Sequence, residues 1–152
     1  MCLGGEGLPW TGGCTQTIRS HRQPHIPIPE ELNRIAHEVV DAAYVVHSTL
    51  GPGLLESVYE TCLAYEIEKR GLSVKRQVDL PVRYGEVTLD AALRIDLLVE
   101  DVLVVETKAA EAMHPVHTAQ LMTYLKLTNR RLGLLINFNV PLIRDGIKRI
   151  AL

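Results

Sequence analysis

From Pro29 onward the apolar positions fall into a helical rhythm. Leu32, Ile35, Ala36, Val39, Ala43 and Val46 mark one face, and Pro29 followed by Glu30 and Glu31 supplies a helix start. The spacing predicts a first helix to about Thr49, stopped by Gly51-Pro52-Gly53. His37 and His47 on it read as surface or boundary residues. A second helix is predicted over Leu54–Arg70, closed by Gly71 as a C-terminal cap. Leu55, Val58, Cys62 and Tyr65 form its apolar stripe, beside a neighbouring stripe of Glu56, Tyr59, Leu63 and Glu66. The rhythm then changes to alternation. Val74, Arg76, Val78 and Leu80 against Ser73, Lys75, Gln77 and Asp79 predict a half-exposed strand. Pro81 and a Tyr84-Gly85-Glu86 turn lead into a longer strand from near Val87, giving an antiparallel meander. Farther on, Pro115 opens a predicted helix over about Val116–Leu127, with His117, Gln120, Leu121 and Tyr124 on one face. Leu132–Phe138 is an apolar run of strand length; following a helix, it is expected to join the sheet in parallel by a crossover. In the tail, Leu142–Leu152, Arg144, Lys148 and Arg149 have helix-compatible spacing. With Arg94, Arg130 and Arg131 they offer a basic rim or, more simply, solvated charges.

The stretch Arg94–Ala109 carries the chemistry. Ile95–Val99 and Val102–Val105 read as the strands of a buried hairpin broken by Glu100-Asp101. Asp96, Glu106 and Lys108 do not belong in such strands unless they are paired or hold a cation. A two-residue turn would put Asp96 opposite Val105, on the wrong face. A three-residue connection, Glu100–Val102, or a bulge pairs Val99 with Leu103 and brings Asp96, Glu106 and Lys108 to one face. The odd-length connection is therefore expected. Two opposed carboxylates repel unless a divalent cation or Lys108 lies between them, so the triad reads equally as a metal site beside a water or as a salt bridge at a sheet edge. Glu56 in the first turn of its helix is either a dipole-stabilised surface acid or an outer acid aimed at the pair. His117, Gln120 and Tyr124 either cap the sheet by buried hydrogen bonds or reach over Glu106 and Lys108.

Composition narrows the class. A chain of 152 residues with 47% hydrophobic and 22% charged residues fits one soluble globular domain. The net charge of -2 excludes a bulk basic signal for nucleic acid and leaves only a local patch. Cys2, Cys14 and Cys62 have no metal-ligand spacing and suggest reduced thiols in a cytoplasmic protein. No apolar run approaches the roughly 20 residues of a membrane span, and no secretory signal is evident. Met1–Pro29 holds five of the 11 glycines and four of the 8 prolines, so residues 1–28 are expected to be a flexible arm and 29–152 the folded domain. His21 and His25 in that arm read as solvated. His114 and His117 lack the further soft ligands that zinc needs.

Several blocks in order, Gly53-Leu54-Leu55-Glu56-Ser57-Val58-Tyr59, Arg94-x-Asp96, Glu106-Thr107-Lys108-Ala109, His117-x-x-Gln120-x-x-x-Tyr124 and Gly133-Leu-Leu-Ile-Asn137-Phe138, resemble the bacterial GxxExxY family of the PD-(D/E)xK nuclease superfamily. The resemblance covers about Pro29 to Ile150. It implies an α/β (α+β), restriction-endonuclease-like core with a mixed sheet flanked by helices. It also implies a Mg²⁺- or Mn²⁺-dependent nuclease acting on DNA or RNA. Asp96 and Glu106, with the Thr107 carbonyl, would ligate the metal, and Lys108 would position or deprotonate the attacking water. Glu56 would contact the metal or its waters; Gln120 and Tyr124 would orient substrate, with His117 beside them. Ile95 stands where the superfamily motif has proline. A silent nuclease-fold accessory module is the alternative, and an oligomerisation protein with a structural charge cluster a third. Homo-oligomer formation is left open and no membrane partner is expected.

Overall fold

The structure, a computed structural model, describes residues 26–152, so nearly all of the expected arm lies outside the described residues. Of the arm, Ile28 packs on the core, and the carbonyls of Ile26 and Pro27 accept bonds from the Arg131 guanidinium.

Helix α1 spans Glu30–Leu50 and buries the expected stripe together with Ala42 and His47. His47 is 8% exposed, with Nε2 2.7 Å from the Val140 carbonyl, so it belongs to the core and not to the surface. Helix α2 spans Glu56–Lys69, and here the expected facing is wrong. Its buried seam is Tyr59, Leu63 and Ile67 with Glu60 and Ala64, while Leu55 and Tyr65 are 74% and 62% exposed. The reason is Glu60, an acid drawn into the interface by Arg76 and Gln77 across from it. Apolar counting reads that position as solvent-facing.

The sheet runs in the order β1-β2-β3-β4-β5, formed by β1 Val74–Tyr84, β2 Val87–Val99, β3 Leu103–Lys108, β4 Leu132–Asn137 and β5 Ile147–Ala151. β1, β2 and β3 form the expected antiparallel meander, and β4 joins β3 in parallel after helix α3, Pro115–Leu127. Pro81 does not end β1; the strand continues past it with a register shift between Leu80 and Val82. The tail is not a long helix. A single turn, α4 Ile143–Gly146, precedes β5, which pairs antiparallel with β4 and leaves Lys148 and Arg149 exposed on opposite faces, Lys148 toward Thr118 of α3 and Arg149 toward Asn33 of α1. Ile147 and Ile150 give that segment enough apolar surface to cover the margin of β4.

Helices α1 and α2 cover one sheet face over Leu97, Val99, Leu103, Val105, Leu132, Leu134 and Ile136. Helix α3 covers the other, with Leu121, Tyr124 and Leu125 against Ile95, Leu98, Val104 and Leu135. This is a mixed five-strand sheet flanked by helices, the α/β arrangement expected from the sequence. Two glycines set close approaches. A Cβ on Gly133 would lie 2.8 Å from Leu121 Cδ1, so glycine lets α3 settle directly onto β4. A Cβ on Gly146 would lie 2.1 Å from the Asn137 carbonyl oxygen, which is backbone and cannot yield. Gly146→Ala is therefore expected to destabilise the protein by about 1–3 kcal/mol, the usual cost of overpacking, read as a lower urea midpoint at unchanged slope.

Candidate functional site

The turn that fixes the site is built as the parity argument requires. Glu100 and Asp101 have φ 50 and 58, and the Val102 N–H donates to the Val99 carbonyl at 3.0 Å. Val99 pairs with Leu103, Leu98 with Val104 and Leu97 with Val105, the register of a three-residue connection. The next rank is Asp96 and Glu106, and there the ladder stops. The Asp96 N–H donates to Glu106 Oε1 at 3.3 Å, while Asp96 Oδ2 accepts from the Thr107 N–H at 2.9 Å and the Thr107 hydroxyl at 3.1 Å. Carboxylates thus accept amide N–H groups that a regular ladder would give to backbone carbonyls. On its other side β3 remains fully paired with β4, Glu106 opposite Leu135 and Lys108 opposite Asn137, so the splay is held against a rigid central strand.

Glu106 is 2% exposed, and its pKa is pushed up to about 8. Burial is the main cause and the Asp96 carboxylate the next; Lys108 and the Asp96 amide pull the other way. The Lys108 ammonium lies 3.9 Å from Glu106 Oε2 and 3.8 Å from Glu56 Oε1, with its side chain largely enclosed. Glu56 thus turns toward the lysine. Among the described residues no three His, Cys, Asp or Glu side chains converge as a ready metal cluster. The acidic centre consists of Asp96 and Glu106 alone.

Two groups outside the charged set hold this geometry. Tyr59 donates its hydroxyl to the Gly51 carbonyl at 2.6 Å and accepts from the Leu54 N–H at 3.1 Å, pinning the loop that delivers Glu56. Its ring stacks on Phe138 with centroids 4.6 Å apart. Asn137, 1% exposed, accepts from the Ala110 N–H at 3.1 Å and donates to the Ala110 carbonyl at 2.9 Å, which clips the chain leaving Lys108 onto β4. Tyr59 and Asn137 stood in the quoted motifs without a role; a buried polar residue beside a charged strand end was the available signal.

On α3, Gln120 donates to the Tyr124 hydroxyl at 2.7 Å. The Tyr124 phenol is held above its usual pKa by burial and by the charges of Glu106 and Asp96, against the Gln120 bond, which places it in their electrostatic reach. His117 is turned elsewhere: its Nδ1 accepts from the His114 N–H at 3.4 Å at the start of its own helix. The basic rim does not form as one surface. Arg130 bonds the Asp101 carbonyl, Arg131 the Pro27 carbonyl, Arg94 the Asp79 carboxylate and Lys148 the Thr118 hydroxyl. Cys62 is a free, half-buried thiol; no described helix is long and apolar enough to cross a membrane.

Among families of known proteins, the model described as the PD-(D/E)XK nuclease superfamily matches residues 33–150. No curated protein and no solved structure matches the chain.

Proposed function

Because the chain belongs to the PD-(D/E)XK nuclease superfamily, we propose that it is a nuclease of the GxxExxY type, using Mg²⁺ or Mn²⁺ to hydrolyse phosphodiester bonds of DNA or RNA. The observation that carries this reading is the rank of half-buried Asp96 and buried Glu106, where two acids face each other at the cost of a pKa of about 8 on Glu106. A fold with no use for that pair would be more stable without it. The donors are all oxygens, and Mg²⁺ is commonly held by one or two carboxylates with water and phosphate completing its shell. The residues therefore fit the ion: Asp96 and Glu106 would hold it, helped by the Thr107 carbonyl.

A bound divalent cation supplies charge neutralisation at the phosphate and acidifies water. The chain's own groups do the rest. Lys108, fixed between Glu106 and Glu56, presents a positive charge beside the place of attack and orients the water there. Glu56 holds the lysine in that position and would contact the metal or its waters. Gln120 and Tyr124 contribute an amide and a phenol on the α3 side for orienting the scissile phosphate. His117 serves the start of its helix and borders that surface.

The test is calorimetric titration of the full chain with Mn²⁺. Binding is expected in the wild type and lost in Asp96→Ala. The metal requires Glu106 ionised, so affinity should rise about tenfold per pH unit up to the Glu106 pKa and level above it, with release of a proton. Binding that is absent, or that ignores pH and Asp96, removes the metal reading. The second reading, a nuclease-fold accessory module that keeps the acidic site without turnover, is favoured by the net charge of -2 and by arginines engaged within the fold instead of forming one basic surface. It predicts retention of nucleic acid with Mn²⁺ present and no cleavage in any variant.

A further inference from the structure

From Val74 to Leu80, β1 and β2 keep one register on both sides of an irregular rank. Arg76 pairs with Leu97 and Val78 with Ile95, so Gln77 and Asp96 stand opposite each other without a ladder pair of their own. No residue is inserted in either strand. Gln77 has φ 51, a left-handed backbone that residues with side chains enter at a cost and that is foreign to strands.

The kink turns the hairpin over. In a regular strand, residues two or four apart share a face. Val74 nevertheless packs with the α1–α2 core and Val78 with the α3 core. On β2, Leu97 and Val99 belong to the α1–α2 core and Ile95 to the α3 core. Both strands exchange faces at Gln77 and Asp96. The consecutive side chains of Arg76 and Gln77, which regular pleating would send apart, both reach the buried Glu60 carboxylate. Arg76 donates at 3.2 and 3.1 Å to Oε1, and Gln77 at 2.7 Å to Oε2.

The same rank redirects Asp96. The Glu100 N–H donates to the Ser73 carbonyl, on the β1 side, at 3.0 Å. The two-residue repeat of backbone direction would aim the Asp96 N–H at β1 as well. It donates instead to Glu106 Oε1, on the β3 side. We infer that Gln77 is a positioning residue for Asp96: its left-handed backbone, locked onto Glu60, releases the Asp96 amide from β1 and sets the rotation that brings the Asp96 carboxylate to Thr107. The inference rests on the metal reading for its consequence, and on the ladder alone for its geometry.

Two readouts test it on the full chain: exchange of the Thr107 amide by NMR, with Val105 of the same strand as reference, and Mn²⁺ affinity by calorimetry. Gln77→Gly, which loses the bond to Glu60 but enters a positive φ without cost, should stay much nearer the wild type than Gln77→Val in both. Gln77→Val, which resists it, should exchange the Thr107 amide about tenfold faster relative to Val105 and bind Mn²⁺ about tenfold more weakly, the factor set by the left-handed penalty. Should the valine variant not fold, Gln77→Ala decides, with roughly threefold or more faster Thr107 exchange supporting the inference. Wild-type exchange at Thr107 in the valine or alanine variant overturns it, as does glycine perturbing Thr107 as much as valine. A wild type that binds no Mn²⁺ would remove the metal reading alone, since Thr107 exchange reports on Asp96 without any metal.

Discussion

Lys108→Ala is expected to bind Mn²⁺ as the wild type does and to cleave DNA or RNA at least about 100-fold more slowly, the lower end of what a positioned proton-transfer or charge-stabilising group contributes. The separation follows from the geometry. Lys108 sits 3.9 Å from Glu106 and 3.8 Å from Glu56, beside the acid pair and not within it. Its ammonium lowers the pKa of Glu106, so its loss makes that acid harder to ionise. The comparison should therefore be made with each protein at the pH where its own Mn²⁺ binding has levelled off. Cleavage at equal rates by both would show that the lysine only balances charge. Loss of metal binding together with cleavage would show that it holds the site open.

Glu106→Gln should produce the opposite pairing, a more stable protein with no metal site. In the folded chain the pKa of Glu106 is pushed up to about 8, against its ordinary value of 4.5. Between those values the folded state binds the extra proton, so the unfolding free energy of the wild type falls as pH rises from the lower value through the upper one. Stability is full below the unfolded pKa and lost above the folded one. Glutamine cannot ionise and escapes the loss. At about 1.4 kcal/mol per pKa unit, the gain above pH 8 is on the order of 5 kcal/mol and shrinks to nothing near pH 4. Thermal unfolding across pH 4–9 without metal measures it. Adding Mn²⁺ should then raise the melting temperature of the wild type and leave the variant unmoved, because only a folded state that binds ligand gains stability from it. A variant less stable than the wild type at pH 8 would mean that Glu106 is paired well enough to favour its own charge.

The sequence revealed most of what positions the site, and its failures have physical causes. The hairpin turn was legible because side-chain parity leaves few registers, and only the odd connection brings Asp96 to Glu106. Helix α3 and strand β4 were legible from Pro115 and from an apolar run of strand length. The facing of α2 was not, because Glu60 is buried by partners about 16 residues along the chain and no local pattern announces it. β5 was hidden by its brevity and by Lys148 and Arg149, whose spacing suits a helix as well as an outer strand. The face exchange at Gln77 was invisible for a different reason. Glycine or asparagine signals a left-handed backbone; glutamine does not, and tertiary bonds impose it here. His117 shared the helical face of Gln120 and Tyr124 in the sequence, yet its ring serves the helix start, because the first turn of a helix has its own unpaired amides to satisfy.

Among the described residues β1 is an outer margin of the sheet, with no strand beyond it. Another chain could extend the sheet there only by meeting a run of evenly presented amides. Gln77, with its reversed backbone, and Pro81, which has no N–H, leave just Val78-Asp79-Leu80 between them. That run is too short to template a foreign strand. The distortion that aims an acid on one side of the ribbon therefore denies the other side to fibril-like stacking, and copies of this protein crowded together will not zip strand to strand along that border.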